Sequence, residues 1–257
     1  MSIVIVCLVA FLASGLTFFS GFGLGTLLLP AFALFYPIEH AIALTALVHF
    51  LNGLFKLLLV GRFADKGILL RFGVPALLAS FLGAWALVFL ADVGPLFEYT
   101  AFGRTIQVEP ASFAIGLLLL FFSFVELVPA FSEFSFPKRY LTIGGFFTGF
   151  FGGLSGMQGA LRSAFLANSG LTKEGFIATG AVIATMIDVS RLGVYLPNIL
   201  AQRNHLDYGL VGAAVLSAFA GAYLGNKYLK KITMRIVQRI VAVMLFMISI
   251  GLMSGGL

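Results

Sequence analysis

Charge is what this sequence has least of. Only 10% of its 257 residues are Asp, Glu, Lys or Arg, against about a quarter in an ordinary soluble domain. With 60% hydrophobic residues and a mean hydropathy of +1.07, the chain cannot cover an aqueous surface, which excludes a water-soluble fold. A single cysteine, Cys7, excludes an intrachain disulfide and says nothing about redox compartment. Cysteine and histidine are too few and too scattered for a metal site, so no metal and no cofactor is expected. There is no Walker-type phosphate loop and no nucleophile elbow, so soluble-type enzyme chemistry finds no support. The net charge of +6 does not signal a nucleic-acid partner. Most of the basic residues sit between hydrophobic segments, where they orient a protein in a bilayer.

What is present is hydrophobic sequence along the whole length. Eight segments can be drawn, at 3–36, 39–61, 68–91, 111–128, 140–170, 174–197, 206–225 and 232–253. Six are close to the ~20 residues that cross a hydrocarbon core. The other two, 3–36 and 140–170, are too long for one straight span and short for two. Met1–Ser14 lacks the basic flank of a signal peptide and is read as part of a mature transmembrane segment. The expected class is all-α, a polytopic helical membrane protein forming one transmembrane domain over 1–257.

The chain also repeats itself. At a constant offset of 135, Ser20-Gly21 matches Ser155-Gly156, Glu39 matches Glu174, and Ile42-Ala43 matches Ile177-Ala178. Ala46 matches Ala181, and Lys56 falls opposite Arg191. Phe81-Leu82-Gly83-Ala84-Trp85 answers Phe219-Ala220-Gly221-Ala222-Tyr223 at an offset of 138. Two weakly similar halves with Gly-interrupted segments in matching places are the mark of a secondary transporter. The halves are drawn as 1–128 and 140–257.

Loop charges predict the topology. Arg62, Lys66 and Arg71, then Lys138 with Arg139, then Lys227, Lys230, Lys231 and Arg235 mark three cytoplasmic connections. Segment 140–170 then begins and ends on the cytoplasmic side, as a hairpin or re-entrant turn. By the same logic 3–36 is a hairpin entered from outside. Each half is a broken hairpin plus three spans, the halves are inverted, and both termini lie outside. Loop 92–110, acidic through Asp92, Glu98 and Glu109, is placed outside and has no functional account.

The two overlong segments carry the candidate site. Each has a Gly/Ser cluster near its middle, Ser20, Gly21, Gly23 and Gly25 in one, Ser155, Gly156, Gln158 and Gly159 in the other. Irregular backbone at membrane depth survives only inside protein or against a watery cavity. A helix restarting after such a break aims unpaired N–H groups at the cavity, which favours an anion. The competing reading is that these glycines only let helices pack closely.

Charged side chains inside spans are costly and few here: Lys56, Glu126, Arg162, Asp188 and Arg191. Arg162 follows the second break by one turn of the restarted helix, where a guanidinium can grip an oxyanion bidentately or simply tie backbone carbonyls. Lys56 and Arg191 are repeat equivalents near span ends, and both can snorkel to an interface. Asp188 and Arg191, spaced i,i+3, can neutralise each other on one face. His49, with Asn52 on the same face, is either a proton-coupling group or a histidine hydrogen-bonded across helices. Glu126 is read as interfacial.

These residues resemble the sulfite exporter TauE/SafE family. The resemblance runs from Ser14-Gly15-Leu16 through the Gly21/Gly23/Gly25 cluster to Pro30, then Ala41–Asn52, Gly152–Arg162 and the Gly83-Ala84 and Gly221-Ala222 spans, covering the whole chain. It implies a transporter of small anions, commonly sulfur oxyanions or small organosulfonates, in a plasma membrane, here a bacterial inner membrane. The expectation is therefore a non-enzymatic secondary transporter working by alternating access, with the bilayer and a small anionic substrate as its partners. Ser20, Gly21, Gly23, Gly25, Ser155, Gly156, Gln158, Gly159 and Arg162 would bind the anion, with His49 and Asn52 on the opposite wall. Lys56, Asp188 and Arg191 would attract or gate it, and proton coupling would pass through His49. The competing expectations are a cation or metal carrier, a membrane enzyme acting on a lipid-soluble substrate, and a non-transporting scaffold subunit. Oligomeric state is left open.

Overall fold

A computed structural model of the chain describes residues 2–16, 24–101, 103–127, 135–201, 207–228 and 234–256. Its helices are α1 (Ser2–Leu16), α2 (Leu24–Ala33), α3 (Ile38–Val60), α4 (Lys66–Ala91) and α5 (Pro110–Leu127). They continue as α6 (Leu141–Ser155), α7 (Gly159–Leu166), α8 (Lys173–Ala201), α9 (Tyr208–Tyr228) and α10 (Met234–Met253). A π-helical turn at Leu69–Gly73 lies within α4. Near-continuous apolar sequence in a bilayer leaves the backbone no partner but itself, and helices satisfy every such group locally.

Among the described residues, four helices are long and apolar enough to cross a membrane: His40–Phe63, Lys66–Ala91, Lys173–Tyr195 and Tyr208–Lys227. The distribution of side chains is that of a membrane protein. Leu58, Leu216 and Trp85 point outward with 85%, 69% and 64% of their surface exposed, whereas Asp188 and Arg191 are completely buried.

Both overlong segments are broken, as their length demands. The first divides into α1 and α2, the second into α6 and α7. The 15 residues of α6 rise only about 22 Å, less than a hydrocarbon core. The chain then turns back. The Phe136 N–H donates to the Ala164 carbonyl at 3.0 Å, Asn168 Nδ2 donates to Ser135 Oγ at 2.8 Å, and the Phe136 and Phe165 rings stack 4.0 Å apart. The end of α7 therefore lies beside the start of α6, and 135–168 is the hairpin that its flanking charges predict.

Backbone-to-backbone packing fixes the neighbours. On α6, Gly145, Gly149 and Gly153 rest against the backbone of Phe72, Ala76 and Ser80 on α4, in ascending order, so these helices run parallel. On α9, Gly221 and Gly225 rest in the same way against Phe11 and Gly15 of α1. A side chain at any of these glycines would strike main chain, so the close approach requires them. Two further pairs are antiparallel. Ser123 on α5 donates to the Ala242 carbonyl on α10, and Gly116 lies against Ser249 and Met253. His49 and Gly53 on α3 meet Asp188 and Thr185 on α8.

Loop 92–110 holds the one sheet among the described residues, β1 (Phe97–Ala101) paired antiparallel with β2 (Arg104–Val108). Gly103, at φ +72°, supplies the left-handed turn. The alternation of Phe97, Tyr99 and Ala101 with Glu98 and Thr100 is the period-two signal that the sequence reading passed over. The hairpin docks on the C-terminal end, with the Tyr99 hydroxyl donating to the Ser254 carbonyl at 2.6 Å.

Candidate functional site

The second break is built by its own residues. Gly156 ends α6 in the left-handed conformation, φ +79°, and its N–H donates to the Gly152 carbonyl at 2.8 Å. This is a glycine helix stop. The Ser155 hydroxyl donates to the Phe151 carbonyl at 2.9 Å and accepts from the Met157 N–H at 3.3 Å. It shapes the turn, and the bond to Phe151 occupies the donor that the sequence assigns to an anion. Two residues on, α7 starts at Gly159 with Gln158 at its N-cap and no side-chain cap, which leaves its first N–H groups to other partners.

The restarted helices of the two broken segments meet there. A methyl group on Gly25, in the first turn of α2, would stand 3.2 Å from the Gly156 carbonyl oxygen and 3.7 Å from His49 Cδ2. Ser20, Gly21 and Gly23, the rest of the first cluster, lie outside the described residues.

Next to this junction lies a buried ionic cluster. His49 Nδ1 is 2.6 Å from Asp188 Oδ2, joining α3 to α8. Asp188 Oδ1 accepts from Arg191 Nε at 2.9 Å and lies 2.8 Å from Nη2. Asp188 and Arg191 are fully buried, and the His49 side chain is 12% exposed. The i,i+3 pair expected on one helix face thus exists, but it does not reach an interface. Arg191 turns inward against Gly156 rather than snorkelling to a span end. The reason is local: a glycine in the left-handed conformation leaves the space that the guanidinium fills.

Four buried polar atoms around the break have no hydrogen-bond partner among the described residues: Arg191 Nη1 and Nη2, Gln158 Nε2 and Thr45 Oγ1, of which Nη2 is ion-paired with Asp188. Thr45 is one turn before His49 on α3, and its methyl lies within 3.9 Å of the Gly25 position. Buried polar groups are normally paired, so orphans converging on one place mark a site for water or a ligand.

Arg162 is buried at the first turns of α7. Its Nη1 lies 3.4 Å from Gln158 Oε1, and its Nε lies beside Gly180 of α8. It is within electrostatic reach of Asp188, and Lys56, half-buried on α3, is within reach of Arg162. Asp188 thus lies near two cations, with a third, Lys56, near Arg162.

Asn52 is buried but occupied elsewhere: its Oδ1 accepts from Ser14 Oγ at 3.0 Å and ties α3 to α1. Although it shares a helix with His49, tertiary packing gives it a different neighbour. The side chain of Glu126 lies outside the described positions. Sequence reasoning missed Thr45, Ser14 and Tyr195, whose hydroxyl donates to the Gly153 carbonyl just before the break. Thr45 and Tyr195 stand four residues from His49 and Arg191, so helical spacing from the charged residues was the signal available.

Among protein-family models, that of the family described as "Sulfite exporter TauE/SafE" matches residues 6–252. No curated protein matches the chain.

Proposed function

The chain belongs to the sulfite exporter TauE/SafE family of membrane transporters, and on that premise we propose that it carries a small sulfur oxyanion or organosulfonate by alternating access. The observation that carries this reading is the fully buried guanidinium of Arg191, with Nη1 unpartnered against the Gly156 break. A desolvated donor of fixed positive charge is suited to an anion and to little else.

The anion lies between Gly25 and Gly156. Arg191 Nη1, Gln158 Nε2 and Thr45 Oγ1 donate to it, with the opening N–H groups of α7 and the Arg162 guanidinium completing the shell. Lys56 draws anions in from the side of the 61–65 connection. A compact oxyanion with several acceptor oxygens suits so many converging donors. Transport takes place across a plasma membrane with both termini outside.

The two halves, 1–128 and 140–257, act as inverted repeats. Support comes from a helix start that keeps the sequence offset of 135, Ile38 with Lys173. It comes also from the exchange pattern of packing. Helix α6 runs along α4 of the other half as α1 runs along α9, while α3 meets α8 and α5 meets α10. A two-fold arrangement allows the halves to exchange conformations, opening the site to one side and then the other.

A cation carrier is disfavoured by Asp188, whose two oxygens are already engaged by His49 and Arg191. The test is thermal stability of the purified protein against sulfite, thiosulfate, sulfate, sulfoacetate and taurine. A ligand of the folded state raises the melting temperature by mass action. A shift with a sulfur anion that disappears in Arg162→Ala or Arg191→Gln supports the reading. A shift with a divalent cation alone overturns it.

A further inference from the structure

We propose that His49 and Asp188 form a proton-binding site that loads together with the anion, making the transporter an anion–proton symporter. The inference rests on the anion reading above and adds to it the coupling ion and its ligands.

The argument begins with charge. In the arrangement observed, Asp188 bonds Arg191 through Oδ1 and His49 Nδ1 through Oδ2. An ionised carboxylate accepts only, so His49 Nδ1 carries a hydrogen and donates it, and the neutral ring has its lone pair on Nε2. The cluster of His49, Asp188 and Arg191 is then electrically neutral. An anion reaching Arg191 Nη1 adds negative charge to a buried site, and uncompensated charge there is expensive. A proton from water restores the balance by binding at Nε2, with no group other than the ring changing its charge.

Geometry directs that proton toward the anion. The His49 ring edge carrying Cδ2, the neighbour of Nε2, faces Gly25 at the junction of the two broken segments. A hydrogen on the adjoining Nε2 therefore lies at the edge of the Gly25–Gly156 junction, against which Arg191 Nη1 also rests. Proton and anion occupy adjoining positions and stabilise one another.

The other charged groups make the coupling strict. Arg162 on α7 lies within electrostatic reach of Asp188, and Lys56 on α3 within reach of Arg162, so both add positive charge to the empty site. Arrival of the anion cancels their field. Neither α2 nor α6, both packed nearby, contains a titratable side chain. On α8, Tyr195 directs its hydroxyl to Gly153, and Lys173 and Glu174 are exposed at the far end. On α4, Lys66 and Arg71 are exposed, as are Tyr208, Tyr223 and Lys227 on α9. His40 is at the start of α3, more than two turns from His49. Among the described residues, Asp188 bonds Arg191 at depth and His49 bonds Asp188.

The test uses the full chain in liposomes that enclose a pH-sensitive dye. Radiosulfur-labelled methanesulfonate, thiosulfate and sulfate are added outside in turn, none of which releases or takes up a proton of its own at neutral pH. Isotope uptake and lumenal acidification are read together. The expected result is one proton entering with each anion, uptake driven by an inward proton gradient, and a residual flux in His49→Gln and His49→Asn that carries no protons. Counterflow exchange of the labelled anion in the same vesicles shows that each variant is folded. Uptake without acidification, or acidification that survives in both His49 variants, overturns the symport proposal alone. No uptake of any of the three overturns the anion-transport reading, and the symport proposal falls with it.

Discussion

Gly156 and Arg191 are in direct contact: the glycine holds φ +79°, and a Cβ there would overlap Nη1 of the guanidinium. The turn that breaks the helix and the space that admits the cation are thus the same feature. Gly156→Ala is expected to lose about 1–2 kcal/mol from the left-handed conformation alone, and more from displacing Arg191. Thermal unfolding measures the loss, and the anion-induced shift should weaken with it. An alanine variant with unchanged stability and unchanged shift contradicts this contact.

Arg162→Ala and Arg191→Lys each remove charge-assisted hydrogen bonds from the proposed anion shell. A bond of that kind is worth about 1.5–3 kcal/mol, so affinity should fall by roughly ten- to a hundredfold. Lysine keeps the charge of Arg191 but loses the planar fork, so a full effect of Arg191→Lys would show that geometry matters as well as charge. Titration of the melting temperature with the responding anion gives both values.

Removing one partner of the buried pair should cost more than removing both. Asp188→Asn leaves Arg191 buried without its counter-charge, at about 3–5 kcal/mol. Asp188→Asn combined with Arg191→Met should be more stable than the sum of the single changes, a coupling read from a double-mutant cycle. Additive single changes would mean that the two side chains do not interact in the folded protein.

Gly83→Ala and Gly221→Ala, at equivalent places in the two halves, should each destabilise by about 1–3 kcal/mol through overpacking. The added methyl would strike the Phe150 carbonyl in one case and the Phe11 carbonyl in the other. Main chain cannot rotate away as a side chain can, so the paired helices must separate. Comparable losses of melting temperature in the two variants are expected from the matched packing.

The β-hairpin gives a contrasting case. Tyr99→Phe loses one exposed bond to Ser254, about 1 kcal/mol at most. Melting temperature should move little and anion affinity should not move. A marked fall in affinity would bring loop 92–110 into the transport mechanism.

By itself the sequence determined the solvent, the helical class and the place where the second overlong segment breaks. These are local or compositional properties. Apolar runs specify helices because lipid offers the backbone no alternative, and Gly/Ser clusters inside overlong runs interrupt them. The return of α7 beside α6 was legible for the same reason, since Lys138, Arg139 and Lys173 flank one segment and must share a side. The ionic cluster was not legible as a cluster. His49 and Asp188 are 139 positions apart, and nothing in the periodicity of either helix announces their bond. Asn52, three residues from His49, belongs to α1 through Ser14 instead. Arg191 has the spacing of an interfacial residue, yet it is buried because Gly156, on another helix, leaves it room. Which side chain faces which break depends on how helices remote in sequence cross, and that crossing is set by glycine contacts between backbones, which only the tertiary structure decided.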